Sequence, residues 1–172
     1  GCSGKSTLLN LCREHYGDKF SYVTEVTRPL ARKGFTINES GGDDTQRAII
    51  DAHIENNKLT DVIMDRCIVD GYVYTSWLYS EGNVTQSVYD YAWTTLNEIV
   101  NEIDVIFHTA PLQMKDDGQR STNVFFQRDI GDMFDVLLNG IYWRNSYKGK
   151  VVYLEGDIEK RFNDIKIAIE KI

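Results

Sequence analysis

The feature of this sequence that most constrains the fold is an alternation of short apolar runs with longer stretches of helical periodicity. Runs with the composition of buried strands lie at 20–24, 61–65, 104–109 and 150–155. Three of them are rich in β-branched residues, as are parallel strands that helices cover on both faces. Because strands and helices alternate, the sequence predicts an α/β fold with a parallel sheet and right-handed crossovers.

The stretches between those runs carry apolar residues at the spacing of amphipathic helices. Helices are predicted at 5–16, 43–58, 85–102, 122–145 and 157–171. The helix at 85–102 follows a segment at 70–80 that is rich in tyrosine and tryptophan. A chain of 172 residues with two prolines and no linker-like stretch predicts a single domain over residues 1–172.

Charge and hydropathy argue against several classes of function. The net charge of −7 disfavours broad binding of nucleic acids or membrane surfaces, which requires a basic face. No stretch approaches the ~20 apolar residues of a membrane span, and no signal peptide is visible. The three cysteines lack metal-site spacing, so we expect free thiols. The histidines His15, His53 and His108 also lack it and are expected to be structural or surface residues. These features favour a cytoplasmic protein with a small-molecule substrate, and they are compatible with a homodimer.

The first seven residues, GCSGKST, match the second half of a phosphate-binding loop, whose full pattern is GxxxxGK[ST]. In such a loop, backbone amides and the positive end of the following helix face phosphate oxygens. Gly4 lets the backbone approach the anion, Lys5 is expected to reach the β- and γ-phosphates, and Ser6 is expected to ligate Mg²⁺. The other residues expected to hold the nucleotide are Gly1, Cys2, Ser3 and Thr7. The alternative is a chance GKS at the start of a helix.

The full loop pattern requires a further glycine before Gly1 and a strand before that glycine. We therefore expect a first strand that is missing from this chain. A sheet without that central strand would expose apolar surface on its two neighbours.

Ligands of parallel α/β sheets bind beyond the carboxyl ends of the strands, where the segment TEVTRP follows the first apolar run. Glu25 and Arg28 stand three residues apart in this segment. Pro29 is expected to hold Arg28 in an extended conformation, from which it would grip a substrate phosphate with two hydrogen bonds. The alternative is a surface ion pair between Glu25 and Arg28, which would contribute little.

The segment MDRCIVDGYVY follows the second apolar run. Asp65 is placed to hold Mg²⁺ through a water, or to accept a proton from the attacking oxygen. Arg66 would bind a phosphate or the acceptor. Asp70 is a less certain candidate, with a helix N-cap as the alternative. Tyr72 belongs to a run of aromatic residues in which at least one side chain would stack on a base, and core packing is the alternative there.

Two further strand ends carry candidate residues. The polar segment at 110–122 resembles a lid, from which Arg120 would neutralise charge on the transferred phosphoryl group, with Arg128 assisting. A solvated loop is the alternative. After the last apolar run, Gly156 and Asp157 open the final helix and are expected to border the nucleotide base, with Asp157 at least as an N-cap.

Together these segments resemble the small P-loop nucleoside and nucleotide kinases. The segment DRCIVDGYVYTSWLYSEG is similar to the DR-x-x-x-D/S-x-x-x-Y signature of thymidylate kinases and deoxynucleoside kinases. The ExxR at 25–28 and the lid-like DGQRS at 117–121 resemble the NadR-like kinases, a group that includes many phage proteins. The resemblance implies a three-layer α/β/α fold with five parallel strands in the order 2-3-1-4-5. It also implies MgATP as phosphoryl donor and a lid that closes over the phosphates.

The resemblance implies a phosphotransferase for a nucleotide-type acceptor, first of all a deoxynucleoside monophosphate such as dTMP. Arg28 and Arg66 would position the acceptor phosphate. Thymidylate kinases usually follow their early arginine with Glu-Pro-Gly, whereas Pro29 and Leu30 follow it here. One alternative is a nucleoside kinase, in which Glu25 or another carboxylate would serve as the base for a free hydroxyl. Another is a switch that binds ATP or GTP and turns it over slowly.

Overall fold

The structure, a computed structural model, describes residues 4–109 and 123–172. The predicted alternation of strands and helices is confirmed, and each described strand lies within one of the predicted runs. The strands are β1 (Ser21–Val23), β2 (Val62–Met64), β3 (Val105–Thr109) and β4 (Lys150–Leu154). They are short and half-buried, because helices pack against both faces of the sheet.

The helices agree with the predicted segments except at two places, and a further helix covers the tyrosine- and tryptophan-rich segment at 70–80. They are α1 (Lys5–Tyr16), α2 (Thr27–Arg32), α3 (Asp43–Asn57), α4 (Ile68–Ser80), α5 (Gln86–Ile99), α6 (Val124–Asn139), α7 (Ile141–Ser146) and α8 (Ile158–Ile169). The helix predicted at 122–145 is two helices, because Gly140 has an extended backbone with ψ 150° between α6 and α7. Asn123 caps α6, since its side chain accepts hydrogen bonds from the backbone N–H groups of Phe125 and Phe126.

The second difference is α2, which corrects the prediction for Arg28. Pro29 does not hold Arg28 extended, because both residues lie inside a helix that begins at Thr27. Pro29 is the third residue of α2, and N–H groups in the first turn have no intrahelical acceptor, so proline loses nothing there. The helical backbone lets the Arg28 side chain turn back toward Glu25, where its Nε lies 3.2 Å from Oε1.

All described strand pairings are parallel. β1 pairs with β2, with Ser21 opposite Val62, and β3 pairs with β4, with Val105 opposite Lys150. Within the described residues these are two separate two-stranded sheets. A cavity of about 1150 Å³ is lined by residues of both β2 and β3. The full strand order 2-3-1-4-5 stays a prediction.

The core lies between the helices and the strands. Its largest cluster joins α3, α4 and α5 through Ile50, Ile68 and Leu96, each no more than 1% exposed. A second cluster joins α1 and α8 across β4 through Leu8 and Leu154. Free thiols are confirmed for Cys12 and Cys67. Among the described helices, none has both the length and the apolar character needed to span a membrane.

Candidate active site

The candidate site is built around the start of α1 and the carboxyl ends of β1 and β2. Gly4 precedes α1 with φ 73°, a left-handed conformation that glycine adopts without steric cost. Lys5 and Ser6 follow as the first helical residues, and Thr7 lies in the same turn, as predicted. The positive end of α1 therefore lies beside the two side chains expected to meet phosphate and metal. Gly1, Cys2 and Ser3 lie outside the described residues.

Ser6 and Asp65 meet at this site, although 59 residues separate them in sequence. The Ser6 hydroxyl donates to Oδ2 of Asp65 at 3.4 Å. Asp65 is 8% exposed, and its Oδ1 is buried with no hydrogen-bond partner among the described residues. A buried carboxylate oxygen without a partner is costly unless a cation or a water satisfies it. Because Mg²⁺ is usually held by one or two carboxylates together with substrate phosphates, these two side chains fit the expected ion.

The part of the chain that the structure describes has no group of three or more His, Cys, Asp or Glu side chains that could hold a metal ion. A magnesium ion at Ser6 and Asp65 would therefore depend on phosphate oxygens for its remaining ligands. This agrees with an ion that arrives with a nucleotide rather than one resident in the protein.

The environment of Lys5 contains several charges of both signs. Burial lowers the pKa of Lys5, and the positive charge of Arg66 lowers it further. The carboxylates of Asp70, Asp65 and Glu25 act in the opposite direction. A bound phosphate would add negative charge and favour the protonated amine, so the site is electrostatically suited to an anion.

Glu25 follows β1, accepts two hydrogen bonds and forms an ion pair with a further cation. Its Oε1 accepts from the Thr27 hydroxyl at 3.1 Å and from Nε of Arg28 at 3.2 Å. Its Oε2 lies 3.5 Å from Nε of Arg66. Burial by itself raises the pKa of Glu25, but Arg66, Thr27 and Arg28 outweigh that effect and hold the pKa below its ordinary value. The ion pair between Glu25 and Arg28, which the sequence analysis gave as the alternative, is present. However, Glu25 also contacts Arg66, and the Glu25 side chain is only 16% exposed.

Arg66 has a backbone conformation unusual for an arginine. Its φ is 77°, in the left-handed region that costs a side-chain-bearing residue about 1–3 kcal/mol. The side chain lies between the Glu25 carboxylate and the ring of Tyr74, whose centroid is 5.5 Å from the guanidinium carbon. These contacts fix a cation at the end of β2, beside Asp65.

Three further residues belong to this region: Asp70, which the sequence made a less certain candidate, Tyr74 of the aromatic run, and His53, which was expected to be structural. Asp70 is the third residue of α4 and accepts from the backbone N–H of Cys67 at 3.2 Å, so Cys67, and not Asp70, is the N-cap. Tyr74 lies one turn further along α4, and a spacing of four residues places both side chains on one helix face. That spacing was a usable signal for Tyr74. His53, in the middle of α3, has no comparable signal in the sequence.

The contacts that the structure describes for Tyr72 and Arg128 lie outside this cluster. Tyr72 packs on the ring of Trp93, and its hydroxyl lies 3.3 Å from that of Tyr89. Burial raises the pKa of Tyr72 to about 12. Arg128 lies on α6 with a side chain that is 64% exposed, and it pairs with Asp129 at 3.5 Å. No described contact joins either residue to Lys5, Glu25 or Asp65, and their roles in substrate binding stay predictions.

The remaining candidates lie at the other strand ends. Gly156 has φ 82°, and Asp157 caps α8 by accepting from the backbone N–H of Lys160 at 2.8 Å. The capping role of Asp157 is therefore confirmed, whereas contact with a nucleotide base stays a prediction. Arg120 and the rest of the lid-like segment at 110–122 lie outside the described residues.

Asp65→Asn is expected to stabilise the ligand-free protein. Burial raises the pKa of Asp65, so the ionised form is penalised in the fold, and stability falls as pH rises from the ordinary pKa through the raised one. At pH 7 we expect Tm to rise by about 2–4 °C, the shift that about 1 kcal/mol produces in a chain of this length. The same variant is expected to lose the increase in Tm that MgATP gives the wild type.

Thermal unfolding at pH 7, with and without MgATP, measures both effects of Asp65→Asn. Asp132→Asn is the matched control, since Asp132 is an exposed residue of α6. An Asp65→Asn protein that melted below the wild type when ligand-free, yet kept the full MgATP shift, would contradict this view of the carboxylate.

Comparisons with known proteins agree with the fold. No protein-family model and no curated protein matches the chain. Two solved structures of deoxyadenosine kinase from M. mycoides are similar to it. The one with dCMP and a flexible dCDP has a TM-score of 0.66 at 14% identity, and the one with dCTP has a TM-score of 0.68 at 16% identity. Both alignments cover 99% of this chain and 95% of the kinase chain.

A third similar structure is the NadR protein in complex with NR. It has a TM-score of 0.66 at 13% identity, and the alignment covers 98% of this chain and 48% of that one. These likenesses show that the chain has the P-loop α/β fold of the deoxynucleoside kinases, as its sequence predicted. They extend over nearly the whole chain.

Proposed function

We propose that this protein is a MgATP-dependent phosphotransferase whose acceptor is the free hydroxyl of a nucleoside. The observation that carries the proposal is the Glu25 carboxylate, which is kept ionised by its donors and lies in the same charged cluster as Lys5 and Asp65. A hydroxyl must give up a proton as it attacks, and a nearby ionised carboxylate would accept it. A monophosphate needs no such base, and the carboxylate would repel it.

The other residues have roles that follow from their positions. The amides at the start of α1 and the Lys5 ammonium would hold the phosphates of ATP. Ser6 and Asp65 would hold Mg²⁺, which supplies neutralisation of phosphate charge when bound. Glu25 would accept the hydroxyl proton on a side-chain oxygen, and Arg120 would approach the phosphoryl group from the segment at 110–122. Catalysis of this kind consists mainly of placement and charge neutralisation.

Two observations support the fold-level part of this proposal. The similar structures include a kinase described with deoxynucleotides and a protein described in complex with NR. The expected cytoplasmic location, the single-domain organisation and a homodimer are compatible with it and stay predictions.

A second candidate acceptor is a deoxynucleoside monophosphate such as dTMP. The observation in its favour is the pair of arginines, Arg28 and Arg66, that flank Glu25. Two guanidinium groups at one site can bind a phosphate in several bidentate arrangements. For this acceptor, the arginines would have to exchange their contacts with Glu25 for the substrate phosphate.

Acceptor-dependent release of ADP from MgATP separates these candidates. We expect turnover with at least one of the nucleosides deoxyadenosine, deoxycytidine, deoxyguanosine and thymidine, and little turnover with the matching monophosphates. Turnover confined to the monophosphates would replace the first proposal with the second. Tight nucleotide binding without turnover on any acceptor would reject both and favour the nucleotide-dependent switch.

A further inference from the structure

A small cavity lies beside the residues that contact Glu25. Its volume is about 20 Å³. Thr27 and Arg66, which both contact Glu25, line it. Lys5 and Asp65 do not line it and instead line the large cavity beside β2. The two cavities share three lining residues, Arg66, Asp70 and Tyr74. The small cavity is therefore next to the proposed base and adjoins the large cavity without including Lys5 or Asp65.

The size of this cavity limits what it can hold. A space of roughly 10–15 Å³ accepts one water molecule, so the cavity has room for a single group of about that size. An exocyclic amino group or a carbonyl oxygen of a ligand has similar dimensions. A whole aromatic base does not fit in it, but the edge of one that carries such a group would.

Two buried nitrogens of this cavity lack a hydrogen-bond partner in the part of the chain that the structure describes. One is Nε of Arg66, which forms an ion pair with Glu25 at 3.5 Å, and the other is Nδ1 of His53. His53 is 3% exposed and, within the described residues, forms no such ion pair. Burial lowers the pKa of His53 to about 4, with Arg66 adding to that effect and Asp70 opposing it. At neutral pH the ring is therefore uncharged and has one donor and one acceptor nitrogen.

Two neighbouring polar side chains of the cavity already have partners. Gln46 accepts from the Thr75 hydroxyl at 3.0 Å, and Asp70 accepts from the backbone N–H of Cys67. The ring of His53 is held from the α4 side, since a Cβ added at Gly71 would come within 3.2 Å of its Cδ2. A buried nitrogen without a partner destabilises the protein, and a ligand group that hydrogen-bonds to it would remove this cost.

We propose that His53 is a specificity-determining residue, and that its Nδ1 hydrogen-bonds to one exocyclic polar group of the acceptor's base, which enters this cavity. The inference rests on the proposed function. With the reacting hydroxyl at Glu25, the part of a nucleoside that points away from the phosphates is its base. The base edge would reach the cavity between α3 and α4, where His53 selects a polar substituent over a hydrogen atom.

The test compares nucleosides that differ at one exocyclic position. For purines these are deoxyadenosine with an amino group, deoxyinosine with a carbonyl and purine 2′-deoxyriboside with hydrogen. For pyrimidines they are deoxycytidine, deoxyuridine and the analogue without the C4 substituent. For the wild type, kcat/KM for the preferred nucleoside is expected to exceed that for the hydrogen analogue by at least about 100-fold, because buried polar groups reject a ligand that leaves them unpaired.

His53→Leu is expected to reduce this ratio by at least about tenfold, with most of the loss in KM for the preferred nucleoside. His53→Asn keeps an amide near the position of Nδ1 and is expected to recover part of the ratio. Ile50→Ala is the matched control, since Ile50 is a fully buried residue of α3 that does not line the cavity. It should lower stability and leave the ratio unchanged.

The outcomes distinguish this inference from the proposed function. Turnover of wild type with a nucleoside supports the function by itself. If His53→Leu then lowers kcat/KM equally for all analogues, or leaves the ratio at its wild-type value, the inference is overturned and the function stands. If His53→Leu does not fold, His53→Met decides in its place, because methionine also lacks a hydrogen-bonding nitrogen there, and an unchanged ratio in that variant would overturn the inference. No turnover of any nucleoside by wild type would reject both.

Discussion

Lys5→Met is expected to lower acceptor-dependent turnover by about 10²–10³-fold, the loss seen when one preorganised electrostatic contact to a developing charge is removed. Methionine keeps an unbranched side chain of similar length in the same half-buried position at the start of α1. The change therefore removes the ammonium group with little effect on packing. We also expect weaker nucleotide binding, because Lys5 would contact the terminal phosphates.

Steady-state kinetics and equilibrium titration with an ATP analogue measure the two effects of Lys5→Met. Lys58→Met serves as control, since Lys58 follows α3, is exposed and pairs with Glu55. Comparable Tm values for the two variants would show that both are folded. If turnover and nucleotide affinity both remained at wild-type values in Lys5→Met, the interpretation of residues 4–6 as a phosphate site would have to be abandoned.

Glu25→Gln is expected to lower kcat for a nucleoside by about 10²–10⁴-fold, the usual contribution of a positioned general base. The amide keeps the shape of the side chain but has little affinity for a proton. KM for the nucleoside should change far less, because the effect falls on proton transfer and not on ground-state binding. Glu55→Gln, on the exposed face of α3, is the matched control. A variant that kept full nucleoside turnover, or one that gained activity on dTMP, would favour the monophosphate as acceptor.

The same variant has an expected effect on stability that depends on pH. The pKa of Glu25 is lower in the folded protein than its ordinary value of about 4.3. The carboxylate therefore stabilises the fold above that ordinary value, and this contribution disappears as pH falls through the lowered pKa. The difference in unfolding free energy between wild type and Glu25→Gln should be larger at pH 7 than at pH 3, as urea unfolding at both pH values would show.

Several parts of the fold were predictable because local sequence determines them. The strands β2, β3 and β4 lie in short runs rich in β-branched residues, a composition that favours strands over helices. The helix α1 begins directly after Gly4, which is its N-cap. The break at Gly140 was not predictable in this way, because apolar spacing continues from α6 into α7. The extended conformation predicted for Arg28 was wrong. A residue before proline prefers an extended backbone, but the first turn of a helix accepts proline, and here the helical conformation prevails.

The candidate site likewise contains some residues that local sequence predicted and others that it did not. Lys5, Ser6 and Asp65 were predictable, since each follows from a short motif at a strand end with a direct chemical reason for the residue type. The contact of Glu25 with Arg66 joins the ends of two strands, so the topology implied proximity but not the pairing. His53 and Tyr74 come from helices packed over the site. Their positions depend on how α3 and α4 pack, and no sequence spacing relates His53 to the strand ends.

The lowered pKa of Lys5 has a practical consequence. A larger share of its amine is uncharged, and so able to attack an electrophile, than in an ordinary surface lysine at the same mildly alkaline pH. A small aldehyde without phosphate groups is expected to react with this amine in the nucleotide-free protein, whereas bound ATP would favour the protonated amine and protect it. Reductive alkylation there, and its loss when ATP is added, would give a mass-spectrometric marker of nucleotide occupancy.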